Sequence, residues 1–203
     1  MDQRDGALSP YRVLDLTDEK GLSCGKLLGD LGADVIIVEP PKGHPARNRG
    51  PFYKDQVHPE KSLFWFALNT SKRSITLNLE TRDGQALFRD LVKTAHFVVE
   101  SYPVGYLDKL GLGYEALAQI KPDIIVTSIT PFGSTGPYAS YQSSDLVCQA
   151  MGGLVYICGE GGRPPVKVAC DQAYFQAGLQ AAVGSLMAHY YRVMTGEGQH
   201  VDV

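Results

Sequence analysis

The residues RVLDLTDEKGLSCGKLLGDLGADVIIV, numbered 12 to 38, decide the fold of this chain. Arg12–Leu16 is a short apolar run that predicts a buried strand, and Cys24–Leu31 places leucines at helical spacing. Gly32 suits the position just after a helix end. Asp34–Val38 is rich in β-branched residues and predicts a second strand. A strand, a helix and a strand with short connections form a βαβ unit, which implies parallel strands.

The alternation of strand and helix signals continues beyond this unit. Glu39–Ser62, rich in Pro, Gly, Arg and Lys, has no periodicity and predicts a long loop over the sheet edge. Ser74–Leu79, Phe97–Val99 and Ile124–Thr127 predict further strands, and Arg82–Lys93 predicts an amphipathic helix. The pattern therefore predicts an α/β fold, an open and mostly parallel Rossmann-like sheet with helices on both faces.

In the last third of the chain, the regular alternation of strand and helix patterns stops. Thr130–Tyr138 and Gly159–Pro165 are loops rich in glycine and proline, and Ser144–Met151 between them predicts a helix. Gln172–Met194 is the longest helical pattern, and Val201–Val203 permits a terminal strand. A face of small residues on the long helix predicts close packing: Ala177, Ala181, Ala182, Gly184 and Ser185.

The composition is that of an ordinary globular chain. With 203 residues, of which 44% are hydrophobic and 20% charged, it is long and apolar enough for one large domain. A net charge of −3 argues against a nucleic-acid partner. The four cysteines are too scattered for a disulfide-stapled secreted domain. The opening MDQRDGALSPYR is not a secretory signal, and no apolar stretch reaches about 20 residues, so we expect a cytoplasmic protein without a membrane segment.

The common signatures of nucleotide, metal and hydrolase sites do not occur in the chain. The loop after Leu16 lacks the GxGxxG pattern that brings backbone amides to a pyrophosphate, and no GxxxxGK[ST] phrase is found. The five histidines share no ligand spacing with each other or with cysteine, and no GxSxG elbow is present. We therefore expect neither a metal nor a redox cofactor.

Eight phrases in series resemble the family III CoA-transferases, the group that includes formyl-CoA and carnitine CoA-transferases. They are VLDL, LLGDLGADVIIVEPP, NTSKRSITLNL, VVES, GYLDKLGLGYEAL, PDIIVTSITPFGSTGPY, SDLVCQAMGGL and TGEGQHVDV. The resemblance implies that residues 1–203 form the N-terminal part of the large CoA-binding domain. Because family members are about twice as long and interlock as dimers, it also implies an incomplete sheet that needs further chain or a partner, in a homodimer or a heteromer.

The resemblance also implies which residues meet coenzyme A. Leu77 and Leu79 match positions that line the adenine, and Ser101 and Tyr102 match a pair beside the nucleotide. A lysine is a compact charge suited to phosphate, as the resemblance implies for Lys109. Lys72 matches the NKRS-like phrase, although a solvated residue at a strand end is an equal alternative, and Asp145 matches an acid near the acyl site. The full set is Lys72, Leu77, Leu79, Ser101, Tyr102, Lys109 and Asp145.

The reaction implied by the resemblance moves CoA from an acyl-CoA to a carboxylic acid through an aspartyl-CoA intermediate. The family aspartate stands four residues before a glycine, here Gly178, but that position is Tyr174. Asp171, one helical turn earlier, is either the nucleophile in a shifted register or only an N-cap residue. Two departures concern the CoA site: Lys20-Gly21-Leu22 replaces the usual Ala-Gly-Pro phrase, and Glu80 stands where a basic residue is common.

Three functions remain open at this point. The first is a CoA-transferase with Asp171 as the catalytic residue, acting on an acyl-CoA and a carboxylic acid. The second is a non-catalytic, CoA-binding or structural subunit that pairs with an active relative. The third is an α-proton racemase of acyl-CoA, for which no histidine in Thr130–Tyr138 offers support.

Overall fold

The computed structural model describes residues 6–203 as alternating strands and helices. Three short 3-10 turns, at Pro45–Asn48, Tyr53–Asp55 and Pro59–Lys61, interrupt the long loop after the second strand. The regular elements are β1 Arg12–Leu16, α1 Leu22–Asp30, β2 Asp34–Glu39, α2 Leu63–Asn69, β3 Lys72–Thr76, α3 Arg82–Thr94, β4 Phe97–Glu100, α4 Tyr106–Lys109, α5 Tyr114–Ile120, β5 Ile125–Ser128, α6 Asp145–Met151, α7 Leu154–Ile157, α8 Gln172–Thr195 and β6 Gln199–Asp202.

The six strands form one sheet in the order β3-β2-β1-β4-β5-β6, and every pair of neighbours is parallel. This is the doubly wound order in which the chain leaves β1 to one side and later returns to its other side. Helices α1 and α8 contribute to the cluster on one face of the sheet, and α3 and α5 contribute to the cluster on the other. The predicted fold class is therefore confirmed.

Most predicted elements are confirmed, with corrections where the local pattern was ambiguous. Strand β3 begins at Lys72, two residues before the predicted start at Ser74, because residues 72 to 76 pair with β2. Helix α2 was not predicted from the sequence; it begins after Ser62, whose hydroxyl accepts a hydrogen bond from Trp65 N at 3.0 Å. The short helices α4, α5 and α7 were not predicted either. The predicted terminal strand is confirmed as β6.

The predicted close packing of the small-residue face of α8 is confirmed at Ala181, Ala182 and Ser185, and the structure shows that α8 packs against α1. Gly178, Ala181, Ala182, Ser185 and Ala188 are buried on this helix. A methyl group on Gly178 would come within 1.9 Å of Ser23 Oγ and 3.0 Å of Cys24 N. The absence of a side chain at this position is therefore what lets the two helices approach.

Gly178→Val is expected to lower the free energy of unfolding by about 1–3 kcal/mol, because the added methyl groups overpack the contact of α8 with α1. Gln180→Val, on an exposed position of the same helix, is the matched control. Urea unfolding of both variants measures the difference. Equal stabilities would contradict the close approach of α1 and α8 at Gly178.

The outer face of α8 carries an apolar stripe that no residue of the described part of the chain covers. Its members follow helical spacing and are exposed by 38–71% of their surface: Phe175, Leu179, Val183, Met187, Tyr190 and Met194. Soluble monomers rarely leave so continuous an apolar surface in water. This agrees with the expectation that the layered fold is incomplete by itself. Within residues 6–203, no helix combines the length and the apolar character that crossing a bilayer demands.

Candidate functional site

A cleft of about 780 Å³ opens at the carboxyl ends of the central strands. Its walls include the loop after β1, the residues after β4 and the residues after β5. The strand order reverses between β1 and β4, so the loops that follow these two strands diverge to opposite sides. Open parallel sheets bind their ligands at this topological switch point. The volume is typical of a small-molecule site.

Ser101 and Tyr102, two of the predicted CoA-binding residues, line this cleft. Ser101 is buried; its hydroxyl donates to Asp18 Oδ1 and accepts from Asp18 N, both at 2.8 Å. These bonds tie the end of β4 to the loop after β1. Tyr102 N donates to the Glu100 carboxylate at 2.8 Å, and burial raises the pKa of Glu100. The two residues are thus held in place where the strands diverge.

Leu77, Leu79 and Lys109 are not among the residues that line the cleft. Leu79 is buried in the same core cluster against which Leu77 and Tyr102 pack, so these three share one apolar surface. The Tyr102 ring also stacks on Tyr106, with centroids 4.7 Å apart. Lys109 is exposed at the end of α4, and its ammonium forms no ion pair among residues 6–203.

The structure corrects the prediction for Lys72. Its side chain is 1% exposed, and Nζ donates to Asp15 Oδ2 at 2.7 Å and to the Leu22 carbonyl at 2.8 Å. An ammonium that is buried and held by a carboxylate and a carbonyl is not available to a phosphate. The alternative of a solvated pair at a strand end is wrong for Lys72 as well, although it describes its neighbour Arg73, which is 60% exposed. Lys72 therefore joins β3 to β1 inside the fold.

Asp145 organises the beginning of α8 and is buried. Its carboxylate accepts hydrogen bonds from Gln149 Nε2 at 2.7 Å and from Ala173 N at 2.9 Å, and it pairs with Lys167 Nζ at 2.8 Å. Burial alone would raise the pKa of Asp145, but these three partners outweigh it and hold the pKa below its ordinary value. Asp145 thus satisfies a free backbone amide of α8, a task usually given to the N-cap residue.

Asp171 occupies the N-cap position of α8, but its side chain makes no capping hydrogen bond. The carboxylate instead pairs with Arg49, from the long loop, and lies 3.6 Å from Lys167 Nζ. Arg49 is also held over the Phe64 ring, 4.2 Å from its centroid. The carboxylate therefore sits between two cations, in a shallow depression that it shares with Tyr174.

Tyr174, at the position of the family aspartate, lines the cleft itself. Burial raises the pKa of Tyr174 to about 12, and the nearby Glu19 carboxylate adds to the rise. The phenol is therefore protonated at neutral pH and acts as a hydrogen-bonding group, not as an anionic nucleophile. Of the two positions compared in the sequence, Tyr174 faces the cleft and Asp171 faces Arg49.

Sequence reasoning gave no site role to Arg49 or Thr130, and it noted Lys20 only as part of the altered phrase Lys20-Gly21-Leu22. Arg49 lies 122 residues from Asp171, and only the tertiary fold joins them. Lys20 and Thr130 line the cleft, and the Lys20 ammonium pairs with Asp18. Thr130 was the first residue of the predicted glycine and proline loop, and its place three residues after the predicted strand Ile124–Thr127 was the available signal. In the described part of the chain, no group of three His, Cys, Asp or Glu side chains is arranged to hold a metal.

Sequence comparison places this geometry among known proteins. The chain matches the profile of CoA-transferase family III over residues 8–203. It is 44% identical over 195 residues to the succinyl-CoA:(R)-benzylsuccinate CoA-transferase subunit BbsE of Thauera aromatica, which covers 96% of this chain and 48% of that protein. It is 40% identical to the succinyl-CoA:mesaconate CoA-transferase of Haloarcula marismortui, covering 97% of this chain and 51% of that protein.

Solved structures give the same result. A CAIB/BAIF family protein from Brucella suis superposes with a TM-score of 0.90 at 39% identity, over 97% of this chain and 52% of that one. Rv3272 from Mycobacterium tuberculosis reaches 0.86 at 30% identity, over 97% of this chain and 54% of that one. The chain spans about half the length of the curated relatives it matches. It belongs to CoA-transferase family III.

Proposed function

We propose that this chain binds coenzyme A in the switch-point cleft and takes part in moving CoA from an acyl-CoA to a carboxylic acid. The observation that carries the proposal is the pair Ser101 and Tyr102 in the cleft at the end of β4. Tyr102, Tyr106 and Leu77 pack on one apolar cluster, which suits the flat adenine ring. Lys109, exposed and without an ion pair among the residues described, suits a phosphate. Residues 1–203 then correspond to the N-terminal part of a CoA-binding domain.

The chemistry follows from nucleophilic catalysis by a carboxylate. The carboxylate attacks the thioester carbonyl and expels the CoA thiolate, leaving a mixed anhydride. The thiolate then attacks the enzyme's carbonyl in that anhydride, which gives an aspartyl-CoA thioester and releases the donor acid. The acceptor carboxylate then attacks the aspartyl-CoA carbonyl and expels the CoA thiolate, which leaves a second mixed anhydride. The thiolate attacks the acceptor's carbonyl in that anhydride, so the new acyl-CoA leaves and the enzyme carboxylate is restored. Each step is an acyl transfer, so no external oxidant or reductant is needed.

Asp171 is the proposed source of that carboxylate in this chain. Arg49 pairs with it and Lys167 Nζ lies 3.6 Å away, so both cations reduce its nucleophilicity, and the ion pair with Arg49 must open before it attacks. It must also advance past Tyr174 toward the cleft. A rotation of the Arg49 side chain, which is 35% exposed, would open its ion pair without moving the loop.

The second candidate is a CoA-binding subunit that lacks its own nucleophile and pairs with an active relative. The observation that favours it is that Tyr174 occupies the cleft where the family aspartate is expected. The BbsE relative is named as a subunit, and so is the succinyl-CoA–L-malate CoA-transferase beta subunit of Chloroflexus aurantiacus, 34% identical. A companion polypeptide would also cover the apolar stripe on α8.

Trapping with hydroxylamine separates the two candidates. The protein is incubated with acyl-CoA, quenched with hydroxylamine and digested, and the peptide around Asp171 is analysed by mass spectrometry. A hydroxamate at Asp171, absent in Asp171→Asn, is the expected result for the transferase. The buried Asp145 serves as the internal control and should stay unmodified.

An unmodified Asp171, together with measurable CoA binding, would contradict the nucleophile assignment and leave the subunit function standing. Calorimetric titration with CoA supplies that second measurement. If no CoA is bound by the folded protein, with or without a companion chain, both candidates fail.

A further inference from the structure

A side pocket of about 230 Å³ adjoins the cleft next to Tyr174. Lys20, Thr130, Pro131 and Tyr174 line both spaces, so the pocket opens directly from the proposed CoA site. If CoA binds in the cleft, an acyl group on its thiol end can enter this pocket. The pocket therefore bears on which CoA thioester the site accepts.

The walls of the side pocket are mostly apolar. Ile129 and Val203 contribute branched side chains, and Ala173 and Ala177 contribute small ones from α8. Among the residues that line it, Lys20 is the charged one, and its ammonium already pairs with Asp18. The pocket thus provides apolar surface and no unpaired cation for a second carboxylate.

The size of the pocket admits a ring. An apolar cavity of about 150 Å³ in another protein binds benzene, so a pocket of this volume has room for a phenyl group with a short linker. Ala173 and Ala177 create the room, because both stand on the side of α8 that faces the pocket. A larger side chain at either position would fill the space.

Thr130 supplies a polar group at the junction of pocket and cleft. Its Oγ1 is buried and has no hydrogen-bond partner within residues 6–203. Leaving a buried hydroxyl unpaired costs about 1–3 kcal/mol, and an acceptor that the hydroxyl reaches when a thioester binds would offset this cost. A thioester carbonyl is an acceptor only, which matches the O–H donor of Thr130.

We propose that the side pocket binds the acyl group of a CoA thioester, that Thr130 donates a hydrogen bond to the thioester carbonyl, and that the favoured acyl groups are aromatic or branched and apolar. This inference rests on the proposed binding of CoA in the cleft. The protonated phenol of Tyr174 lines the same junction and adds a second hydrogen-bonding group. Ala177 is then a residue that determines specificity.

The test is competitive binding of CoA thioesters to the purified protein, together with any subunit that copurifies. CoA, acetyl-CoA, succinyl-CoA and phenylacetyl-CoA are the probes. Burial of the ring is expected to make phenylacetyl-CoA bind at least about tenfold more tightly than acetyl-CoA. Ala177→Leu should remove this advantage, and the affinity for CoA, which has no acyl group, is the reference for each variant. Gln180→Leu, which adds the same side chain on an exposed position of α8, should keep it.

Thr130→Val gives a second variant with nearly the same shape. It is expected to weaken both acetyl-CoA and phenylacetyl-CoA severalfold relative to CoA itself, because only thioesters have the carbonyl. If CoA is bound, three results would overturn the inference. They are equal affinities for the acyl-CoAs, a preference for succinyl-CoA, and unchanged acyl-CoA affinities in both Ala177→Leu and Thr130→Val. Absence of CoA binding would instead show that the proposed function has failed.

Discussion

Lys72→Met is expected to lower the free energy of unfolding by about 3–5 kcal/mol, the largest loss among the substitutions considered. The Lys72 and Asp15 side chains are 1% and 0% exposed, and their ion pair spans β1 and β3. Methionine keeps the length of the side chain but leaves the Asp15 carboxylate buried without its cation. Thr17 N and Oγ1 still donate to Asp15, at 3.0 and 2.6 Å, but they do not neutralise its charge.

The neighbouring residue provides the control. Arg73 lies next to Lys72 on β3 and pairs with Asp34, but its side chain is 60% exposed. Arg73→Met is expected to change stability by no more than about 1 kcal/mol, because exposed ion pairs contribute little. Urea unfolding at neutral pH measures both variants. Similar losses in the two would contradict the burial of the Lys72 pair, and the double variant Asp15→Asn with Lys72→Met should recover part of the loss.

Glu39→Gln is expected to remove about 3 kcal/mol of pH-dependent stability. Burial by itself raises the pKa of Glu39, but hydrogen bonds from Arg47, Ser74 and His44 N outweigh it and lower the pKa to about 2. Arg47 donates through two nitrogens, at 2.6 and 2.7 Å. Because the pKa in the fold is below the ordinary 4.5, this stability is present above pH 4.5 and is lost as the pH falls toward 2.

Unfolding curves recorded between pH 2 and pH 7 on the parent protein and on Glu39→Gln measure this pH-dependent stability. Their stabilities should converge as the pH approaches 2, where Glu39 itself becomes neutral. Glu60→Gln is the matched control, because Glu60 also accepts a hydrogen bond from Arg47, at 2.9 Å, but its side chain is 69% exposed. A parallel offset between parent and Glu39→Gln at every pH would contradict the linkage.

The hydrogen bonds around Glu39 also bear on the candidate site, because they fix the loop that carries Arg49. Arg47 also lies over the Trp65 ring at 4.1 Å, and Ser62 Oγ donates to the Arg49 carbonyl. Residues 44 to 62 are thus held to β2 and α2, although sequence patterns show them as an irregular loop. A loop so well anchored presents Arg49 to Asp171 in a defined position.

Patterns within a few residues of one another predicted the sheet and its helices. The apolar runs of β1, β2, β4 and β5 are each buried over nearly their whole length, so a run of β-branched residues was a sufficient signal. The predicted bounds of strand β3 were wrong because its side chains are mostly exposed and its start depends on pairing with β2. The family resemblance added Ser101 and Tyr102, which the structure places in the cleft.

By itself, then, the sequence determined the α/β class, the parallel βαβ order and the family, because each depends on short-range periodicity or on contiguous phrases. Only the tertiary structure decided the roles of individual polar side chains. Lys72 turned from a predicted ligand into a buried partner of Asp15, and Asp171 came to lie between Arg49 and Lys167. The physical reason is that the energy of a charge depends on its burial and on partners many residues away, and these are created when the strands and helices pack together.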